Sequence, residues 1–142
     1  MQPSPTIRSG PSTAFTIVVA DNDREVRELM TRWLEEAGHS VISVGSGNDA
    51  IHAIRCNEVH VVVTEVIMPD GDGLEVIMET RRHPVPPRVI AVSGGGQYLP
   101  AADCLRVAKS LGAHVTLGKP FTRDEFEAAV AHAIDSEMLR MT

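Results

Sequence analysis

Polar side chains follow four short apolar runs of this chain, each at the point where a run ends. They are Asp21 with its neighbour Asn22, Glu65, Ser93 and Lys119. Carboxylates bind hard cations and can act as nucleophiles, while a hydroxyl and an ammonium group can hold anionic oxygens. Each of these residues alone is weak evidence, because each also has an ordinary use in a cap, a turn or a loop. A site is predicted only if the fold brings the four positions together.

Glu65 is the most informative of these residues. It follows the run 59–64, whose β-branched residues predict a strand buried on both faces. An acid at the carboxyl end of such a strand lies where open α/β sheets place their ligand sites. The identity of this acid therefore decides what chemistry the chain can perform.

Five β-rich runs alternate along the chain with five segments of helical periodicity. We predict strands over 15–20, 40–44, 59–64, 88–92 and 113–117, and helices over 24–37, 48–56, 74–82, 100–111 and from a capping box of Thr122 and Glu125 onward. Short connections imply right-handed crossovers and a parallel sheet covered on both faces. The predicted fold is a single doubly wound α/β domain, a flavodoxin-like (βα)5 three-layer sandwich. Its five strands take the order 2-1-3-4-5, so that the carboxyl ends of strands 1 and 3 flank the expected site.

Length and composition fit one globular domain. The chain has 142 residues, of which 43% are hydrophobic and 23% charged. We predict a disordered tail over 1–13, where Pro, Gly, Ser and Thr are frequent, and a folded domain over 14–142. Cys56 and Cys104 lack paired spacing, which favours a reducing compartment. No apolar run is long enough for a membrane span or a signal core, so the expected location is cytoplasmic, without membrane contact.

Four motifs taken together resemble the receiver domain of bacterial two-component response regulators. They lie at 17–23, 64–69 with Gly73, 89–94 and 118–121, and the resemblance extends over about residues 15–139. It implies a signalling module rather than an enzyme, in which a histidine kinase passes a phosphoryl group to an aspartate at the end of strand 3. It also implies a Mg²⁺ ion between that aspartate and an acidic pair after strand 1. A hydroxyl on strand 4 and a lysine after strand 5 would hold the phosphoryl oxygens.

Several positions match the family's motifs. Asp21 matches the first acid, Ser93 the switch hydroxyl and Lys119 the lysine. Pro120 follows the lysine, through a bond that is commonly cis in receivers. The resemblance therefore implies that most of a phosphate-holding pocket is present.

Three positions depart from the family's pattern. Asn22 stands where the second acid is usual, Glu65 where the phosphoacceptor aspartate belongs, and Thr116 where an aromatic switch residue is frequent. A second register would place Ala20 and Asp21 at the acidic pair. We prefer the register of Asp21 and Asn22 because it keeps the following residues in step with the family's first helix.

These departures predict a receiver that does not depend on phosphorylation. Glutamate extends its carboxylate by roughly 1.5 Å, and misplacing a reacting group by about 1 Å costs enzymes about 10²-fold. Without a second acid, Asp21 and Glu65 would bind Mg²⁺ weakly or not at all, and no other cofactor is expected. We expect Glu65 to pair with Lys119, with Ser93 as a hydrogen-bond donor to it. The pair would hold one signalling state, either resembling the active state or serving as an inactive scaffold.

Three alternatives stay open. Glu65 or another carboxylate could still accept a phosphoryl group, or Glu65 could form a salt bridge without signalling meaning. In another functional class, Asp21 and Asp23 resemble the paired acids of a small haloacid-dehalogenase-like phosphatase. That interpretation lacks a late acidic metal motif.

The expected partners are proteins. A net charge of −6 and a pI near 5.4 give no basic footprint for DNA or RNA. We expect a stand-alone receiver whose output passes through the face of helix 4, strand 5 and helix 5, about residues 98–139. A histidine kinase or a downstream effector would bind there, and the protein would be a monomer or a weak homodimer.

Overall fold

The structure is a computed structural model that describes residues 14–69, 72–95 and 99–134. The predicted tail 1–13 and the end of the predicted domain, 135–142, lie outside the described residues. The strands are β1 Thr16–Ala20, β2 Ser40–Val44, β3 Val61–Glu65, β4 Arg88–Ser93 and β5 Val115–Gly118. The helices are α1 Arg24–Glu36, α2 Gly47–Cys56, α3 Gly73–Thr80, α4 Ala101–Leu111 and α5 Arg123–Ala133. The alternation of strand and helix is the one that the sequence predicts.

The five strands form one parallel sheet in the order β2-β1-β3-β4-β5, which confirms the predicted topology. Ala20 at the end of β1 is in register with Thr64 of β3. Ser93 at the end of β4 is in register with Gly118 at the end of β5. The residues that follow these strands therefore leave the sheet at one edge.

The sheet is buried on both faces because alternate residues of its central strands pack against different helices. One face joins the strands to α1 and α5, and the other joins them to α2, α3 and α4. The first face contains Ile17, Val19, Val61, Val63, Ile90 and Val92 around Phe126, and the second contains Val18, Ala20, Val62, Val89 and Ala91. This explains why the strands read as continuous apolar runs rather than alternating ones. Among the described residues, no helix is long and apolar enough to cross a membrane.

Two strands, β3 and β5, begin two residues later than predicted. His60 precedes β3, and its ring nitrogen Nδ1 accepts the backbone N–H of Thr16 at 2.9 Å. His114 precedes β5 and accepts the N–H of Val89 at 2.9 Å in the same way. At the start of each strand a histidine side chain thus replaces a backbone hydrogen-bond partner, a long-range contact that hydrophobic periodicity does not report.

Side-chain caps define where α5 and α1 begin. The predicted capping box of α5 is present, with Thr122 accepting from the Glu125 backbone and the Glu125 side chain accepting from the Thr122 backbone. At the start of α1 the capping side chain belongs to Asp23 and not to its neighbour Asn22. Asp23 is the N-cap, and its Oδ1 accepts from the N–H groups of Glu25 at 3.1 Å and Val26 at 3.3 Å.

Candidate functional site

Four of the predicted site residues meet at the carboxyl edge of the sheet. Asp21 directly follows β1, Glu65 ends β3, Ser93 ends β4, and Lys119 directly follows β5. Asp21 and Ser93 are fully buried and Glu65 is 5% exposed. Parallel strands direct all their carboxyl ends to the same side, so residues far apart in sequence converge here.

Lys119 joins the two carboxylates of this pocket. Its Nζ lies 2.6 Å from Oε1 of Glu65 and 2.9 Å from Oδ2 of Asp21. Burial by itself lowers the pKa of Lys119, but the hydrogen bonds and negative charges of Glu65 and Asp21 outweigh burial and raise the pKa above its usual value. Lys119 is therefore held as a cation between two anions.

The second oxygen of Glu65 is bound by its own loop. Oε2 accepts hydrogen bonds from the backbone N–H groups of Val66 at 3.0 Å and Ile67 at 3.3 Å. The longer side chain thus bends back over the residues that follow β3 while its other oxygen reaches Lys119. Both oxygens of this carboxylate therefore have partners within the protein.

Gly73 fixes the backbone beneath Glu65. The N–H of Gly73 donates to the carbonyl of Val66 at 2.8 Å, and a Cβ on Gly73 would collide with the carbonyl of Glu65. The hydroxyl of Thr64 also donates to that carbonyl, at 3.0 Å. A residue without a side chain is therefore required where α3 begins, since it lets the helix approach the end of β3 closely.

Asp21 is positioned by contacts that the sequence analysis did not identify. Its Oδ1 accepts from the N–H of Asp23 at 2.9 Å, and Nη1 of Arg27 donates to its carbonyl at 2.6 Å. Oδ2 is buried and lies 2.9 Å from Nζ of Lys119. Arg27 lies six residues further along the chain, and the only signal in the sequence is a cation in the first turns of α1, which is too common to be informative.

Asn22 and Asp23 lie outside the pocket. Both are exposed, and Asp23 uses its carboxylate to cap α1. The alternative register would put Ala20 in the acidic pair, yet Ala20 is buried in β1 within the core. In either register Asp21 is the acid that enters the pocket. The pairing of Asp21 with Asp23 that suggested a phosphatase therefore does not bring two acids together.

Ser93 and Thr116 have local partners. The Oγ of Ser93 accepts from the N–H of Gly95 at 2.9 Å, and its expected hydrogen bond to Glu65 is not formed between these described residues. Thr116 is half-buried in β5, opposite Ala91 of β4. Neither residue contacts a pocket carboxylate through a hydrogen bond in this arrangement.

The loop after β5 has the geometry that the resemblance implies. The Lys119–Pro120 peptide bond is cis, and the N–H of Lys119 donates to the carbonyl of Ser93 at 2.9 Å. This bond fixes the root of the lysine to the end of β4. The side chain then reaches back across the sheet edge toward β3 and β1.

The donor set does not fit a Mg²⁺ ion in this arrangement. Mg²⁺ requires oxygen ligands in octahedral geometry and is usually held by one or two carboxylates. The carboxylates of Asp21 and Glu65 converge, but the Lys119 ammonium already contacts an oxygen of each. Over the described ranges, no group of three or more His, Cys, Asp or Glu side chains could hold a metal ion.

The sequence profile of the response regulator receiver domain matches residues 17–131. The chain belongs to this family. As a receiver domain it is part of two-component signalling, and the predicted family assignment is confirmed.

The curated relatives of this receiver are longer proteins. It is 31% identical over 124 residues to the DNA-binding transcriptional regulator NtrC of Azospirillum brasilense, covering 87% of this chain and 25% of that protein. It is 32% identical over 114 residues to the regulatory protein VanRc of Enterococcus gallinarum, covering 80% of this chain and 47% of that protein. The receiver therefore spans between a quarter and about half of these relatives.

Solved receiver structures share its fold. The signal receiver domain of the response regulator NarL from Mycobacterium tuberculosis is 28% identical with a TM-score of 0.69, covering 82% of this chain and 93% of that one. A CheY-like receiver domain from Methanospirillum hungatei is 16% identical with a TM-score of 0.78, covering 92% of this chain and all of that one (100%). The second likeness concerns the fold alone.

Proposed function

We propose that this receiver signals without phosphorylation at the end of β3. The observation that carries the proposal is the 2.6 Å contact between Oε1 of Glu65 and Nζ of Lys119. In the family that this chain resembles, that lysine holds a phosphoryl group on an aspartate. Here the longer glutamate reaches the lysine directly, so the protein's own carboxylate takes the contact that a phosphoryl oxygen would need.

The charge of Glu65 and its contacts both support the proposal. The carboxylate supplies one negative charge at a position where a phosphoryl group would carry about 1.5 to 2 at neutral pH, so it replaces that charge in part. The carboxylate is also committed through its second oxygen to the N–H groups of Val66 and Ile67. Attack by Glu65 on a phosphoryl donor would have to break these contacts, because the acid has no oxygen free of a partner.

Phosphorylation with acetyl phosphate and MgCl₂ tests the proposal. Intact-mass measurement should show no added phosphoryl group on the wild-type chain. The Glu65→Asp variant shortens the side chain and withdraws the carboxylate from Lys119, so labelling of this variant would show that the rest of the pocket is still competent. Stoichiometric labelling of wild-type Glu65, located by peptide mapping, would contradict the proposal.

The same peptide mapping decides the second candidate, a receiver phosphorylated on another carboxylate. Asp21 is the described acid for this role, since it is buried in the pocket beside Glu65 and Lys119. Label on Asp21 that disappears in Asp21→Asn would favour this candidate. Label that persists in Asp21→Asn but disappears in Glu65→Gln would assign the phosphoacceptor to Glu65 instead.

In this proposal magnesium binds weakly or not at all. Asp21 and Glu65 are the carboxylates that could hold the ion, and it would shield the charge of a transferring phosphoryl group if bound. Exposed Asn22 adds no negative charge to them. Titration calorimetry of the wild-type protein with MgCl₂ should therefore show weak binding or none.

Receiver domains act through protein contacts, and we propose that the contact face here is α4, β5 and α5. Val107 of α4 is 41% exposed, a large apolar side chain on this face, and Ala128 of α5 is exposed. Ala129, which we expected on the surface for close approach, packs in the core instead, at 7% exposure. A charge introduced by Val107→Glu should weaken partner binding or self-association in sedimentation velocity. Met78→Glu on α3 is the matched control, since Met78 is 43% exposed on another helix.

The affinity of the domain for its protein partner can show whether the state held by the Glu65–Lys119 pair resembles an active receiver. If Glu65 imitates an acyl phosphate, Glu65→Gln removes the charge that holds Lys119 and should lower partner affinity. If the domain is an inactive scaffold, Glu65→Gln and wild type should bind equally. The proposed single-state receiver allows either result, but it does not allow acetyl phosphate to change wild-type binding.

A further inference from the structure

We infer that the Lys119 ammonium is the resident cation of the Asp21–Glu65 pocket and that it excludes divalent metal ions from it. The inference rests on the proposed function, because it explains how the pocket keeps one state without a bound metal. It goes further than the proposed function because it identifies the cation of the pocket as a side chain of the protein rather than a bound metal ion. Removal of the ammonium should consequently open a divalent-cation site.

Burial is the first support. The Asp21 side chain has no exposed surface, the Glu65 side chain is 7% exposed and the Lys119 side chain is 19% exposed. Two carboxylates placed this close together with little access to water require a nearby positive charge. The ammonium group provides that charge within 2.9 Å of both carboxylates.

The oxygens of the pocket are the second support. Oδ2 of Asp21 is buried, and its contact with Nζ of Lys119 at 2.9 Å offsets that burial. Oε1 of Glu65 faces the same ammonium group. These two oxygens converge as metal ligands do, yet the group at their meeting point is a cation that belongs to the protein.

Competition between cations follows from this placement. A divalent ion at the two oxygens would be repelled by Lys119 unless the ammonium group left the pocket. The N–H of Lys119 is bonded to the carbonyl of Ser93, which keeps the root of the side chain beside the site. In Lys119→Met the stem keeps a similar length but loses its charge, which leaves two buried carboxylates. Such a pair selects hard divalent cations such as Mg²⁺ and Mn²⁺.

A titration with MnCl₂, followed by the paramagnetic resonance signal of free Mn²⁺, tests the inference. We expect Lys119→Met to bind Mn²⁺ at least about tenfold more tightly than wild type, because the variant loses the positive charge that repels the ion from the two carboxylates. Its melting temperature should rise with MnCl₂, while that of wild type stays constant. The double variant Lys119→Met with Asp21→Asn should lose the gain.

Lys109 provides the matched control. It is an exposed lysine of α4 whose Nζ donates to the carbonyl of His114, and it lies outside the pocket. Lys109→Met should bind Mn²⁺ no better than wild type. Equal Mn²⁺ affinity of wild type and Lys119→Met would overturn the inference, as would a gain of equal size in Lys109→Met.

A second measurement uses the wild-type protein and does not depend on whether Lys119→Met folds. Acylation of Lys119 by a water-soluble ester, mapped by peptide mass, should be slower than acylation of Lys109 and unchanged by MgCl₂. Faster acylation of Lys119 with MgCl₂ would mean that the metal displaces the ammonium, which overturns the inference. These outcomes differ from phosphorylation of the wild type, which would overturn the proposed function instead.

Discussion

Arg55 of α2 donates two hydrogen bonds to the buried carboxylate of Glu79 on α3, at 3.1 Å from Nε and 3.0 Å from Nη2. Glu79 is 5% exposed and also contacts His83 at 3.1 Å. The two-point contact joins neighbouring helices on the sheet face opposite α1 and α5. Glu79 is the third buried acid in the described part of the domain, and it lies on a helix rather than at the end of a strand.

The Glu79 contact predicts a loss of stability in acid. Hydrogen bonds from Arg55 lower the pKa of Glu79 below its usual value of 4.5, against the opposing effect of burial. Because the folded-state pKa is lowered, the stabilisation is present above pH 4.5 and is lost as the pH falls through the folded-state value. Glu79→Gln should lower the free energy of unfolding at neutral pH by about 1–3 kcal/mol, and by less in acid. Urea unfolding at several pH values measures this difference.

Glu28→Gln is the control for the Glu79 variant. Glu28 pairs with Arg24 on the exposed face of α1 at 3.0 Å. Exposed pairs of this kind contribute about 0.5 kcal/mol or less. If both variants had the same effect, the burial of Glu79 would not be the cause.

His39 predicts a separate pH dependence. Its Nδ1 accepts the N–H of Phe15 at 3.1 Å, and burial lowers the pKa of His39 below its usual value of 6.5. The folded state therefore favours the neutral ring, so its contribution is present above pH 6.5 and is lost as the pH falls through and below that value. His39→Gln should reduce the slope of unfolding free energy against pH between about pH 5 and 7. His132→Gln, on the exposed face of α5, should leave that slope unchanged.

Gly73→Ala should destabilise the domain and disturb the pocket together. The added Cβ would collide with the carbonyl of Glu65, and backbone on both sides leaves little room for adjustment. We expect a loss of about 1–3 kcal/mol in the free energy of unfolding. Gly45→Ala is the control, because its Cβ would lie 3.3 Å from Nη1 of Arg27, a flexible side chain. A smaller effect at Gly73 than at Gly45 in thermal unfolding would contradict the close-approach explanation.

The capping box of α5 predicts the effect of changing Thr122. Its hydroxyl accepts the N–H of Glu125 at 3.1 Å, so Thr122→Ala should lower the free energy of unfolding by about 1 kcal/mol. Thr122→Ser keeps the hydroxyl and should retain most of the stability. Calorimetric melting of the two variants separates the lost hydrogen bond from the lost methyl group.

The fold was predictable because its signals are local. Apolar runs such as 59–64 marked the buried strands, and the pair Thr122 and Glu125 marked the start of the last helix. The starts of two strands were predicted less well, because the rings of His60 and His114 accept backbone N–H groups that would otherwise bond to a neighbouring strand. Those contacts join residues 44 and 25 positions apart, which no short window of sequence contains.

The sequence by itself determined which residues stand at the ends of the strands, because each follows an apolar run that must be buried. It thereby supplied Asp21, Glu65 and Lys119 as members of one site. Only the tertiary structure decided which atoms each of these side chains contacts. Lys119 lies between both acids. Asp23 caps α1 and does not enter the pocket, and Oε2 of Glu65 accepts a hydrogen bond from the loop that follows β3. These choices depend on atomic distances between separate strands, and the order of residues along the chain does not contain such distances.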